Sequence, residues 1–219
     1  GYSVKGRPIT AYYYGTGQTT VLFTGGIHGN EYSGYYLMQD WVAHLDANAY
    51  KLAANRRVVV VPNLNPDGLA SNDRYNANGV NLDRNFPSSD WATDIGIRGG
   101  VKSGGGGLSP LSEPEAKAIA SLTESLRPRL VMSFHSSGSL VGINKVADSA
   151  AIGNVYASAV GYRTMYDNAE AIMGYTFTGE YETWVGEKLG APAVLIELPT
   201  DTGRYFSGHA STLWKRAGM

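Results

Sequence analysis

The chain has 219 residues, no cysteine, and 18 basic against 19 acidic side chains, for a formal net charge of −1. That balance removes the electrostatic case for nucleic acid or an anionic membrane surface as partner. The missing cysteine removes disulfides and thiolate metal sites, so any metal here must be held by imidazole and carboxylate.

Taken in chain order, Thr19 to Ile27 is an apolar run ending in glycines and reads as a buried strand. From Glu31 to Leu45, large apolar residues recur at helical spacing: Tyr35, Leu37, Met38, Trp41, Val42 and Leu45. Arg57 to Val61 is a second buried strand, stopped by Pro62. Residues 63–111 form a long stretch rich in Asn, Asp, Gly and Pro, within which Asn65-Pro66-Asp67-Gly68 signals a turn. Loops of such length are functional or disordered. The run Gly104–Gly107 reads as a flexible surface segment, since it lacks the Gly-Lys-Ser/Thr ending of a phosphate loop.

Ser112-Glu113-Pro114-Glu115 predicts a helix start, with Ser112 as N-cap and Glu115 closing a capping box. The helix should reach Leu126 and stop before Pro128. Arg129 to Phe134 is a third strand, followed at once by His135. Residues 150–160 and 181–189 are predicted helical, 193–198 is a fourth buried strand carrying Glu197, and 208–216 is a closing helix. Continuous apolar strands alternating with helices define an α/β class: a largely parallel, twisted mixed sheet covered on both faces. Residues 1–219 read as one domain. No apolar run is long enough to span a bilayer. Many tyrosines and glycines with few charges lean toward an exported protein, and the start at Gly1 reads as a processed or trimmed N-terminus.

Three ionisable residues stand where buried strands end: His28, His135 and Glu197. In open α/β sheets ligands bind beyond the carboxyl ends of the strands, so convergence there is what a shared site looks like. His28 and Glu31, three apart at a strand-to-helix junction, share one face of a first helical turn. A second imidazole completes a His/Glu/His set of the kind that catalytic zinc uses, with a fourth position left open. Glu197 lies in Val194-Leu195-Ile196-Glu197-Leu198-Pro199, where a carboxylate is costly to bury unless paired or used. It is therefore either the partner of an arginine or a general base. Arg74 and Arg84, on the long loop, suit anion or oxyanion binding. His44 and His209 have no partner pattern and read as structural or solvent-facing.

The ordered blocks Gly26-Ile27-His28-Gly29-Asn30-Glu31, Asn65-Pro66-Asp67-Gly68, Gly79 to Pro87, Ser133-Phe134-His135-Ser136 and Ile196-Glu197-Leu198 resemble the zinc carboxypeptidase family. The resemblance implies one Zn2+ ion held by His28, Glu31 and His135, with Glu197 as the base that activates the attacking water. It further implies Arg74 as the group stabilising the oxyanion, Arg84 as the clamp for the substrate's terminal carboxylate, and Tyr175 as a mobile tyrosine closing over bound substrate. Among subgroups the short chain looks most like the bacterial murein peptide amidases, which cut between γ-D-glutamate and diaminopimelate in cell-wall peptides. A peptide or peptidoglycan-peptide substrate follows, with a monomer as the plain expectation.

Two positions depart from the family pattern. Asn and Asp are exchanged before the clamp arginine, which puts Asp83 beside Arg84 and weakens simple carboxylate binding unless the ligand also brings an ammonium. Glu182 falls where the family lines the pocket for the released side chain, and an acid there favours a cation. It could equally be an exposed first-turn residue favoured by the helix dipole. A released residue with a positive group, such as diaminopimelate, suits both departures. A secreted carboxypeptidase for C-terminal Lys or Arg is the alternative. A deacylase of the aspartoacylase and desuccinylase type is disfavoured by the block from Tyr175 to Trp184. A metal-free binding module is disfavoured by the complete ligand set.

Overall fold

The computed structural model describes residues 1–166 and 169–218. In chain order the elements are β1 (Tyr12–Tyr14), β2 (Thr19–Gly25), α1 (Tyr32–Asn48), β3 (Arg56–Val61), α2 (Pro66–Ser71), β4 (Ile95–Ile97) and β5 (Gly100–Lys102). There follow α3 (Pro114–Leu126), β6 (Leu130–Ser136), β7 (Leu140–Ile143), α4 (Ser149–Val160), β8 (Arg163–Thr164), α5 (Ala169–Met173), α6 (Tyr181–Leu189), β9 (Ala193–Leu198) and α7 (Phe206–Ala217).

The main sheet has the order β1-β3-β2-β6-β9-β7-β8. Its centre, β3-β2-β6-β9, is parallel, while β1 and β7 run antiparallel to their inner neighbours. The four central strands are the four the apolar runs predict. They are buried on both faces, so their side chains cannot alternate between apolar and polar. One face is covered by α1, α4 and α7 through Leu37, Trp41, Tyr156 and Leu213. The other is covered by α3 and α6 through Ile119, Tyr181 and Trp184. The fold is thus the expected α/β architecture.

The differences have physical causes. β1 escapes sequence reading because Tyr12 and Tyr13 are exposed on a sheet edge, without a buried run to reveal them. The strand carrying His135 continues through it to Ser136. Glu31 is the N-cap residue of α1 and not its first turn, and its side chain makes no capping bond because it is turned into the site. The capping box predicted at Ser112 does not form. Glu113 is the N-cap, and Glu115 accepts from the Val4 amide and the Asn76 side chain instead.

The glycine run is not a loose surface segment. Gly105, Gly106 and Gly107 are buried, and the Gly106 carbonyl accepts from both the Asn85 side chain and the Trp91 indole. A Cβ at Gly106 would collide with the Ala92 carbonyl oxygen, so only glycine permits this approach. The long stretch 63–111 is therefore ordered by α2, a one-turn 3-10 helix at Leu82–Arg84 and the β4–β5 hairpin.

Candidate active site

At the carboxyl edge of the parallel strands, β2 ends at Gly25, and His28 follows it in the turn into α1. β6 and β9 pair so that His135 and Glu197 are cross-strand neighbours. Three chain segments thereby bring His28, Glu31, His135 and Glu197 to one place, and all four residues are buried.

Glu31 is the hub. Its Oε1 lies 2.9 Å from His28 Nδ1 and 2.6 Å from the Arg74 guanidinium. Its Oε2 lies 3.4 Å from His135 Nδ1 and accepts the Ser136 amide at 3.1 Å. Burial pushes the Glu31 carboxyl up, but His28 and Arg74 more than offset that and hold it well below the usual carboxylate range. Asn65 ties this arrangement to α2: its Oδ1 caps the Gly68 amide at 2.8 Å, and its side-chain amide reaches the Arg74 carbonyl at 3.5 Å.

The far side of the His28 ring decides its tautomer. Nε2 stands 2.9 Å from Asn81 Oδ1, an acceptor, so Nε2 carries the proton and Nδ1 presents a lone pair to Glu31 Oε1. The two Nδ1 atoms of His28 and His135 are 3.3 Å apart. Two imidazole nitrogens and two carboxylate oxygens turned on one another need a positive charge between them. His135 shows the same need, being pushed up to about 10 because Glu31 and Asp83 overcome the effect of burial. His28 is lowered to about 4 by burial and by Arg74. The spacing of these donor atoms, 2.9 to 3.4 Å, suits tetrahedral Zn–N and Zn–O bonds of about 2.0–2.2 Å. The donor set therefore fits zinc.

Asp83 joins this cluster. Ligand atoms of His28, Asp83 and His135 lie within 4.8 Å of one another. The sequence placed Asp83 with the substrate, and the structure puts it against both imidazoles and the neighbouring guanidinium. Arg84 Nη1 donates to Asp83 Oδ2 at 2.7 Å and to the Asp83 carbonyl at 2.8 Å. Asp83 Oδ1 accepts the Tyr181 amide at 3.4 Å.

Around the cluster opens a cleft of about 610 Å3, its mouth included. Its walls carry Arg74, Arg84, Tyr175, Glu182 and Glu197, so every sequence-predicted residue except Glu31 lines it, and Glu31 sits directly behind. Glu182 is 4% exposed, which excludes the exposed first-turn reading, and neither of its oxygens meets hydrogen-bond geometry with a described neighbour. Burial, with Asp83, raises its carboxyl to about 7, against a smaller lowering by His135 and by the Ser133 hydroxyl, which lies near without reaching hydrogen-bond geometry. Glu197 is 6% exposed and its Oε2 is likewise without a described partner, so it is not the buried salt bridge that sequence reading left open. Burial first, then Glu31, raises it to about 8.

Sequence reasoning missed Asn81 and Glu180. Asn81 stood in a quoted motif, yet nothing short of the fold reveals its contact with His28. Glu180 lines the cleft 3.6 Å from Arg84, with only its adjacency to Glu182 as a hint.

A mostly parallel sheet with a buried imidazole–carboxylate cluster at its carboxyl edge, and beside it a carboxylate whose Oε2 has no partner among the described residues, is the layout that metal-dependent hydrolysis calls for. Residues 1–217 match the family described as zinc carboxypeptidase, and the chain belongs to that family. It is 33% identical to murein peptide amidase A of Escherichia coli (strain K12) over 128 residues, which are 52% of this chain and 48% of that protein. The match thus spans about half the length of that relative. Murein peptide amidase A of Vibrio campbellii is 28% identical over 193 residues, 81% of this chain and 68% of the relative. The crystal structure of murein-tripeptide amidase MpaA from Escherichia coli O157 superposes with a TM-score of 0.77 at 26% identity, covering 97% of this chain and 89% of that one. The chain is thus a member of the zinc carboxypeptidase family that is similar to the murein peptide amidases.

Proposed function

We propose that this enzyme removes a C-terminal residue bearing a positive group, diaminopimelate from γ-D-glutamyl cell-wall peptides being the best fit. The observation that carries this is Glu182, a buried carboxylate in the cleft wall with neither oxygen hydrogen-bonded among the described residues. Such a group is costly unless a ligand supplies its partner, and an ammonium does so. The similarity to murein peptide amidases supports the same reading.

In this reading His28, Glu31 and His135 hold the metal. Zinc, when bound, polarises the scissile carbonyl and makes water acidic enough to attack near neutral pH. Glu197 takes the proton of the attacking water on Oε2, the oxygen left without a partner, and delivers it to the leaving nitrogen. Its apolar strand raises its proton affinity, which suits a group that must accept and then return a proton. Arg74 spends one guanidinium nitrogen on Glu31, and the rest of its fork of donors is available to the developing oxyanion. Tyr175 and Phe177 form the outer wall, where Tyr175 can close over substrate.

The test is product mass spectrometry on a panel run with and without a zinc chelator. The panel holds L-Ala-γ-D-Glu-diaminopimelate and α-peptides ending in Arg, Lys, Phe and Leu. Chelator-sensitive release of diaminopimelate is expected. Release of Arg or Lys with the murein peptide untouched would replace this substrate by that of a basic-residue carboxypeptidase.

A further inference from the structure

We infer that Glu180 is a specificity-determining residue that, with Arg84, receives an ammonium and a carboxylate carried by the same released residue. This rests on the function proposed above and assigns a role to a side chain outside that scheme.

The argument begins with what Asp83 can no longer do. Its Oδ2 holds Arg84 at 2.7 Å and its Oδ1 accepts the Tyr181 amide. Each oxygen already has a partner and the side chain is 2% exposed, so Asp83 serves first as the counter-ion of Arg84 and has less to offer a substrate cation than a more open carboxylate. Arg84 itself is 3% exposed, with the Phe177 ring 5.1 Å from its guanidinium carbon and its Nε lacking a described partner. One guanidinium already neutralised by its sequence neighbour is a weak trap for a lone carboxylate.

Glu180 changes the balance further. It precedes α6 as its N-cap residue, yet its side chain makes no capping bond. Oε2 accepts the Thr183 hydroxyl at 3.3 Å. Oε1 stands 3.6 Å from Arg84 Nη1, beyond hydrogen-bond length, on the wall of the cleft. The side chain is 22% exposed, unlike the sealed Asp83 at 2%. Asp83, Glu180 and Glu182 thus bring three acidic side chains to the part of the cleft that holds Arg84, with Arg74 further along the same lining. A ligand bringing only a carboxylate adds to this acidic crowding. A ligand bringing a side-chain ammonium as well as its carboxylate gives Arg84 an anion and the wall formed by Glu180 and Glu182 a cation; its α-nitrogen is the scissile amide and carries no charge. The chemical class is a diamino acid, above all one whose side chain itself ends in an amino-acid zwitterion.

The experiment compares the zinc-loaded wild-type enzyme with Glu180→Gln, Glu180→Asp and the exposed control Glu124→Gln. Each is assayed on γ-D-glutamyl substrates releasing diaminopimelate, lysine or norleucine, with thermal melts to confirm folding. Calorimetry with free diaminopimelate gives a second readout. Glu180→Gln is expected to lower kcat/KM for diaminopimelate release by about 10- to 100-fold, mainly through KM, and to weaken the free amino acid equally. Norleucine release should be unchanged or improved, and Glu180→Asp should recover part of the loss. Equal effects on all three substrates, or none on any, would overturn the assignment while leaving the proposed function standing. Failure of the wild-type enzyme to release diaminopimelate or lysine would overturn both.

Discussion

Glu31 serves His28, His135, Arg74 and the Ser136 amide at once, and Glu197 sits on the neighbouring strand with an oxygen that none of them occupies. The contrast separates holding a cation from moving a proton. Glu197→Gln keeps the shape and removes the proton acceptor. We expect kcat to fall by about 10²–10⁴ while zinc stoichiometry, measured by atomic emission, stays at the wild-type value. Turnover within a factor of a few of wild type would take the proton-transfer role from Glu197. His209 offers a second case at this scale. It is buried between the Tyr156 hydroxyl on Nδ1 and the Tyr162 hydroxyl on Nε2, with Arg216 acting on Tyr156 from α7. Burial lowers it to about 4. Because the folded value lies below the unfolded one of about 6.5, its contribution is full above pH 6.5 and is lost as pH falls through 4. Urea melts of wild type and His209→Gln should show the variant losing about 3 kcal/mol less between pH 7 and pH 4. Parallel pH curves would show that His209 does not carry this sensitivity.

Among the elements, the segment 81–86 is the one whose position matters most, since it carries Asn81, Asp83 and Arg84. It has little regular structure of its own and is braced from outside. The Asn81 amide donates to the Gly105 carbonyl, Asn85 donates to Gly106, and the Phe86 amide donates to Gly179. A run of glycines is what lets a second strand of backbone come this close. Gly106→Ala collides with the Ala92 carbonyl and crowds that of Arg84, and should cost about 1–3 kcal/mol in denaturant melts, with a rise in KM as Arg84 is displaced. Gly100→Ala, where a Cβ meets nothing within 4 Å, is the matched control. Equal stability and equal KM in the two variants would show that the glycine run does not position the turn.

For the whole molecule, the proposed metal cluster joins the β2–α1 turn to β6, with His28 and His135 107 residues apart in the chain, so an ion bound there couples to global stability. Zinc at about 100 times its dissociation constant should add about 2.7 kcal/mol. For a chain of this size that raises Tm by roughly 5–10 °C. Scanning calorimetry should show the rise in wild type and its absence in His135→Ala. A zinc-dependent shift surviving in that variant would place the ion elsewhere, with Asp83 the first residue to examine.

The parallel core, the helices over it and the family are all legible in the residues alone. Buried strands read as unbroken apolar runs, and His28, His135 and Glu197 interrupt or end such runs where no structural need puts a polar group. Those signals are local and survive without coordinates. Which charges meet is set by the folded chain. That Asp83 is consumed by Arg84, that Asn81 fixes the tautomer of His28, and that Glu180 and Glu182 share a wall with the metal cluster all depend on how a long loop folds back. The ordered glycine run follows the same rule. Gly104–Gly107 reads as loose because glycine carries no side chain to announce its contacts. Its role comes from backbone packed against backbone, which leaves no pattern in the sequence and exists only once the chain has closed around it.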